Sequence, residues 1–144
     1  MNNHLQIEYY KNLILRIKRG SHCGVFINAK PLYLLTIIEM ISRDMLRDNK
    51  IYYDKLLDNV YTNLCSSYGE NKTPLFKPYL YLNGDGFYHQ KWITNEYKPH
   101  DSSAKFVRDN IEYAYLDNAL WDLLQDEQIR NDYRTTIENF FLKK

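Results

Sequence analysis

The stretch that most constrains this chain is Pro31 to about Arg47, PLYLLTIIEMISRDMLR, where Leu34, Leu35, Ile38, Ile41 and Met45 recur at helical spacing and give a wide apolar face. A helix of this kind predicts the centre of a core. Pro31 suits the first helical position, because its missing N–H would have had no partner there. Lys30 then falls in the loop that enters the helix, near several free N–H groups, as either a solvated loop charge or the edge of an anion site. As an exposed loop residue it is expected to be removable at little loss of stability, within about 0.5 kcal/mol.

The same period predicts a first helix in LQIEYYKNLILRIKRG, with Leu5, Tyr9, Leu13 and Ile17 on one face and Gly20 as its stop, followed by a loop, SHCGVFINAK. KIYY reads as a short β-like bridge into a third helix, YDKLLDNVYTNLCSSYG, with Leu56, Leu57, Val60, Tyr61 and Leu64 repeating. The period then changes. PYLYLNGDGFYHQKW sets β-favouring residues on both sides of Asn-Gly-Asp-Gly, which predicts a β-hairpin over residues 79–92. ITNEYKPHDSSA reads as an exposed loop, and FVRDNIEYAYL fits strand or helix. Asp117 is placed to N-cap NALWDLLQD, and a last helix is expected from about Glu127 to Leu142, with Ile129, Tyr133, Ile137, Phe140 and Phe141 facing inward. The expected fold is one α+β domain over residues 1–144, mainly helical. Three helices and a hairpin form a winged-helix-like core, closed by a C-terminal helical unit.

At 144 residues the chain can bury a core without disulfides or metal. Cys23 and Cys65 are far apart and lack any CxxC or His/Cys partner at zinc-like spacing, so both read as free thiols in a reducing compartment. MNNHLQIEYYKN lacks the basic start and apolar run of a signal peptide, and no apolar stretch reaches the length of a membrane span. A cytoplasmic protein is expected. The net charge of +1 is unevenly spread: residues 1–50 carry eight basic against four acidic side chains, and residues 106–144 carry five against eight. A polyanion should therefore meet the N-terminal part. Fourteen tyrosines suit surfaces that are partly apolar and partly hydrogen-bonding.

Asp85 followed by Glu96-Tyr97-Lys98 has the acid, acid, lysine order of a metal-dependent nuclease, but such a site needs its carboxylates on adjacent strands. Asp85 lies between two glycines, and Glu96 and Lys98 lie beside Pro99, so turn chemistry explains all three. His4, His22, His89 and His100 are scattered, Cys23 has no orienting partners, and no phosphate-binding glycine loop is present. Neither a catalytic site nor a cofactor or metal is expected. What remains is basic and aromatic: Lys18, Arg19, His22, Lys30, Lys72, Lys77, Pro78 and Tyr79. Lysine and arginine suit phosphates, and aromatic faces suit bases and sugars. The alternative is scattered surface lysines with the tyrosines in the core.

Four stretches in order, YKNLILRIKRGSHCGVFINAKPLYLLTIIEMI, NKIYYDKLL, KPYLYLNGDGFYHQKW and YAYLDNALWDLLQDEQIRNDYRTTIENFFL, resemble the N-terminal DNA-binding domain of HNH-type restriction endonucleases. That family includes the sulfur-binding domains of modification-dependent restriction enzymes. Its hallmarks are a small-residue loop ending in His-Lys-Pro or His-Arg-Pro, a Pro-Phe-x-x-Leu…Asp-Gly-x-Trp hairpin, and a Leu-Asp-x-x-Leu…Leu-x-Asp…Arg tail. The resemblance runs from about residue 9 to 142. It implies a winged-helix-like domain that binds double-stranded DNA and, in some members, holds a phosphorothioate sulfur in a small apolar pocket.

On this resemblance Lys30 takes the basic position before the helix proline, as a phosphate contact, and Pro78 takes the hairpin proline. Ala29 replaces the family's histidine, Lys77 stands where sulfur binders offer an aromatic, and Tyr81 is bulkier than a small pocket wall allows. Little preference for sulfur-modified DNA is therefore expected. The chain ends where the family's nuclease domain would begin, so it is not expected to cut DNA by itself. It reads as a non-catalytic DNA-binding module. The alternative is a protein-interaction or regulatory subunit of a separately encoded nuclease.

Overall fold

The computed structural model describes residues 3–93 and 103–142. Its centre is α2 (Ala29–Ser42), where every side chain from Pro31 to Ile38 is buried. Even Thr36 is fully covered, its hydroxyl donating to the Leu32 carbonyl one turn back. Around it lie α1 (Asn3–Leu15), α3 (Lys55–Ser67), the short α4 (Phe76–Tyr81) and α7 (Glu127–Ile137). The expected core helix is thus present, but it stops five residues early. Asp44 takes a left-handed φ of 60°, and the N–H groups of Met45 and Leu46 both fold back onto the Met40 carbonyl.

α1 is helical but rotated from its expected face. Leu5 and Tyr9 are exposed, and the buried stripe is Tyr10, Ile14 and, in the turn beyond, Ile17. Tyr10 decides this phase, because its hydroxyl reaches the Asp117 carboxylate at 2.9 Å while its ring enters the core. α3 begins at Asp54, whose side chain accepts from the Leu57 N–H, and it buries Leu57, Val60, Tyr61 and Cys65 while Leu56 stays outside. At the far end Tyr133, Ile137 and Phe141 point inward, Ile129 packs partly buried against them, and Phe140 does not join them. There the last turn widens into a π segment, Glu138–Leu142.

The hairpin expected over residues 79–92 does not form. Phe76–Tyr81 is helical, Leu82–Asp85 continues as a 3-10 turn, and Gly86 ends it with a left-handed φ of 97°. Helical spacing lets Pro78, Tyr79, Leu80 and Leu82 all reach the core, which an alternating strand cannot do. Only the second half becomes a strand, β3 (Tyr88–Trp92), numbered after the small ribbon β1 (Ser21–His22) and β2 (Val25–Phe26). β3 pairs antiparallel with β4 (Ile111–Leu116), from Tyr88 opposite Leu116 to Trp92 opposite Ile111, with a bulge between Lys91 and Trp92. The ambiguous FVRDNIEYAYL splits into α5 (Ala104–Asn110) and β4. The KIYY bridge is present as one residue, Ile51, which exchanges both backbone hydrogen bonds with Ala114. Asp117 stands before α6 (Asn118–Leu123), yet its side chain caps nothing and instead serves Tyr10 and His89.

Tyrosine proves to be a core residue here. Tyr10, Tyr33, Tyr61, Tyr79, Tyr88 and Tyr133 are all buried. The Tyr88 hydroxyl donates to the Tyr79 carbonyl, so its bond to Tyr33 at 2.9 Å must use the Tyr33 proton, and Tyr79 in turn donates to the Ile51 carbonyl. This chain of bonds joins α2, α4, β3 and the Ile51 bridge. Burial pushes the Tyr33, Tyr79 and Tyr88 hydroxyls above the ordinary tyrosine range, which keeps them protonated as donors. No helix among the described residues is long and apolar enough to cross a membrane.

Candidate nucleic-acid interface

The loop that enters α2 is built differently from expectation. Helical geometry begins at Ala29, so Lys30 lies inside the first turn and Pro31 one residue later. Asn28 precedes the helix without capping it, because its amide is used sideways. Its oxygen accepts from Arg19 at 2.8 Å, and its nitrogen donates to Glu70 at 2.6 Å and to the Phe141 carbonyl at 3.4 Å. Upstream, the expected plain loop contains the ribbon β1–β2, in which Ser21 faces Phe26 and His22 faces Val25. Cys23 and Gly24 turn it with φ of 53° and 78°, both positive, as the tight I′ hairpin turn requires.

Lys30 is an ion-pair residue. Its ammonium lies 2.6 Å from Asp85 Oδ2, with the two side chains only 15% and 4% exposed, and Asp85 Oδ1 also accepts the Lys18 backbone N–H at 3.0 Å. One carboxylate thus ties together the 3-10 turn, the start of α2 and the end of the α1 segment. The turn position that argued against a catalytic Asp85 is explained by this anchoring role. Glu96 and Lys98, the other members of that pattern, lie outside the described residues.

Around this anchor a half-open cleft of about 430 Å³ collects four of the sequence candidates, Lys18, Lys30, Lys72 and Lys77, with Pro78 in its wall. Ile27, Ala29 and Tyr81 supply apolar surface. The loop bearing Lys72 is pinned from below, since the buried Tyr61 hydroxyl donates to the Thr73 carbonyl at 2.7 Å. The lysines differ in what they can offer. Lys30 is neutralised by Asp85. Lys72 has a loose, half-exposed partner in Asp58 at 3.6 Å, a separation at which solvent screens most of the attraction. Lys18 and Lys77 are exposed, and their ammonium groups have no acidic partner among the described residues.

Three candidates stand elsewhere. Tyr79 is fully buried with its hydroxyl on the Ile51 carbonyl, so it shapes the wall from inside and cannot touch a ligand. His22 is exposed on the ribbon. Arg19 is wedged between the Phe26 and Phe141 rings, 4.1 and 4.7 Å from their centroids, and burial draws its pKa below the usual arginine value. Sequence reading missed Ile27, Ala29 and Asp85 as parts of this site. The Gly-Asp-Gly spacing marked Asp85 as a turn residue, but nothing local named its partner 55 residues away.

Compared with known protein families and with curated proteins, the chain finds no match.

Proposed function

We propose that the chain is a non-catalytic DNA-binding module that seats the phosphate backbone of duplex DNA along this cleft. The observation that carries the reading is the convergence on one rim of Lys18, beyond the end of α1, with Lys72 and Lys77, from the loop that leads into α4 and its first turn. Charges drawn from two distant parts of a nearly neutral chain to one concave site favour an anion, and the first turn of α2 adds its partial positive charge at the cleft wall. The winged-helix likeness had the hairpin at 79–92 as its wing, and residues 76–85 are helical instead.

The test is duplex binding across a salt series with Lys18→Ala, Lys72→Ala and Lys77→Ala. Truncating a lysine that neutralises one phosphate should reduce the slope of log affinity against log salt by about 0.9. No binding at low salt would refute the reading. The second reading, a protein-interaction subunit, draws on the outer face of the β3–β4 sheet. There Tyr52, Tyr113 and Tyr115 stack edgewise beside Lys50 and Lys91. Tyr52→Ala together with Tyr113→Ala should leave DNA binding intact and disturb only a protein complex.

A further inference from the structure

Phosphate binding along the cleft leaves the ribbon unused, although it stands at the cleft's edge. Residues 21–27 are all exposed, with Val25 at 68% and Phe26 at 58%. Directly opposed residues of an antiparallel pair share a face, so His22 and Val25 look one way and Ser21 and Phe26 the other. Ile27 lies two residues beyond Val25, hence on Val25's side, and it lines the cleft. Its N–H bonds the Gly20 carbonyl at 2.8 Å, extending the ladder to the ribbon's base. On the opposite side Phe26 is braced by the Arg19 guanidinium, which Asn28 and the Phe141 ring hold in turn. The ribbon is a supported finger with an imidazole and an apolar side chain on its cleft side.

We propose that this ribbon enters the major groove of the bound duplex and reads the 5-methyl group of thymine through Val25, an inference that rests on the duplex-binding reading above. Two residues per strand and a turn reach roughly 7–10 Å, at about 3.3 Å per residue, and the major groove is about 8.5 Å deep. That groove, about 12 Å wide, admits a two-stranded ribbon. Its chemistry narrows the target. Between Ser21 and Ile27 there is no Arg, Lys, Asn or Gln, the side chains that bond guanine or adenine in pairs, whereas an exposed valine complements a methyl group. Lysines along the adjoining rim give the duplex a reason to be there, which an apolar partner would lack.

The experiment compares the full-length chain on an A·T-rich duplex and on the same duplex with uracil in place of thymine, across a salt series. That exchange deletes major-groove methyls and leaves phosphates, minor groove and pairing unchanged. Affinity should fall roughly fourfold for each methyl that Val25 covers, with the salt slope unaltered. Val25→Ser, at an exposed position, should melt like the parent, keep the uracil-duplex affinity and lose the thymine preference. Equal affinity for both duplexes, with normal salt dependence, overturns the ribbon's role and leaves the backbone reading standing. Absence of salt-dependent binding to either duplex overturns both.

Discussion

Lys30→Met isolates the ion pair at the base of the cleft. The variant keeps the aliphatic stem but leaves Asp85, 4% exposed, with a single donor, the Lys18 N–H at 3.0 Å. Stranding one member of a buried pair costs about 3–5 kcal/mol, and the remaining donor together with the 15% exposure of Lys30 argues for the lower end. About 3 kcal/mol should lower Tm by roughly 10 °C for a domain of this size. Lys30→Met with Asp85→Asn removes the stranded charge while keeping an oxygen for the Lys18 N–H, so the pair of changes should be milder than their sum by about 2 kcal/mol. Urea melts of the two single variants and the double variant supply the cycle. If Lys30→Met costs less than about 0.5 kcal/mol and the cycle shows no coupling, Lys30 is an ordinary surface lysine and the anchoring argument fails. A large loss would also mean that DNA binding must be dissected with Lys18, Lys72 and Lys77, because weakened binding by a Lys30 variant would mix folding with direct DNA contact.

Tyr79→Phe should cost about 1 kcal/mol in a denaturant melt, by deleting one of the two hydrogen bonds that the Ile51 carbonyl accepts, and leave DNA affinity unchanged; weakened binding with full stability would show that the residue touches the ligand after all. Covered tyrosines set an alkaline limit: partial burial, then the hydrogen bond to Glu138, pushes the half-buried Tyr68 up to about 12. Because its folded pKa lies above the ordinary 10.0, the stability it contributes is complete below pH 10 and is lost as pH rises toward 12. Tyrosinate absorbance from such groups should therefore appear together with loss of helical circular dichroism rather than before it. Gly86→Ala should destabilise by about 1–2 kcal/mol, since open space surrounds the position but its φ of 97° does not suit a side chain. Phosphorothioate duplex should bind within about tenfold of plain duplex, given Lys77 and Tyr81 at the cleft, and a larger ratio in competition would establish a sulfur reader.

The helices around Val60 and Tyr133 could be read from period, because each buries one stripe, whereas the helix around Leu34 is legible from its apolar run, being buried nearly all round. The Asn-Gly-Asp-Gly signal misled for a definite reason. Its residues do turn the chain, yet the turn closes a helix, and the strand that follows takes its partner from residues 111–116 instead of from its neighbour. Local propensity cannot state which distant segment will supply a strand's hydrogen bonds. The phase of α1 was hidden similarly, since Tyr9 and Tyr10 are equal candidates until Asp117 supplies a hydroxyl partner. Four cleft lysines could be named from composition and position, but the distinction between the paired Lys30 and the exposed Lys18 and Lys77 depends on Asp85. Tyr79 looks ligand-facing in the sequence because aromatic residues next to basic ones suggest a binding face. Its full burial follows from helical rather than extended backbone at that point.

Asn28 gathers Arg19, Glu70 and the Phe141 carbonyl on a single amide, and Asp85 gathers Lys18 and Lys30 on a single carboxylate. The cleft and its ribbon are consequently not a portable peptide. A graft of residues 18–31 onto another scaffold would bring Lys18, Lys30, Asn28 and the hairpin turn, but not Glu70, Asp85 and Phe141, which hold them, nor Lys72 and Lys77. The smallest transplantable unit is the whole domain, and substitutions at Glu70 or Phe141, neither of which lines the cleft, are places where evolution or a designer could retune the angle of the finger without altering any residue that meets the ligand.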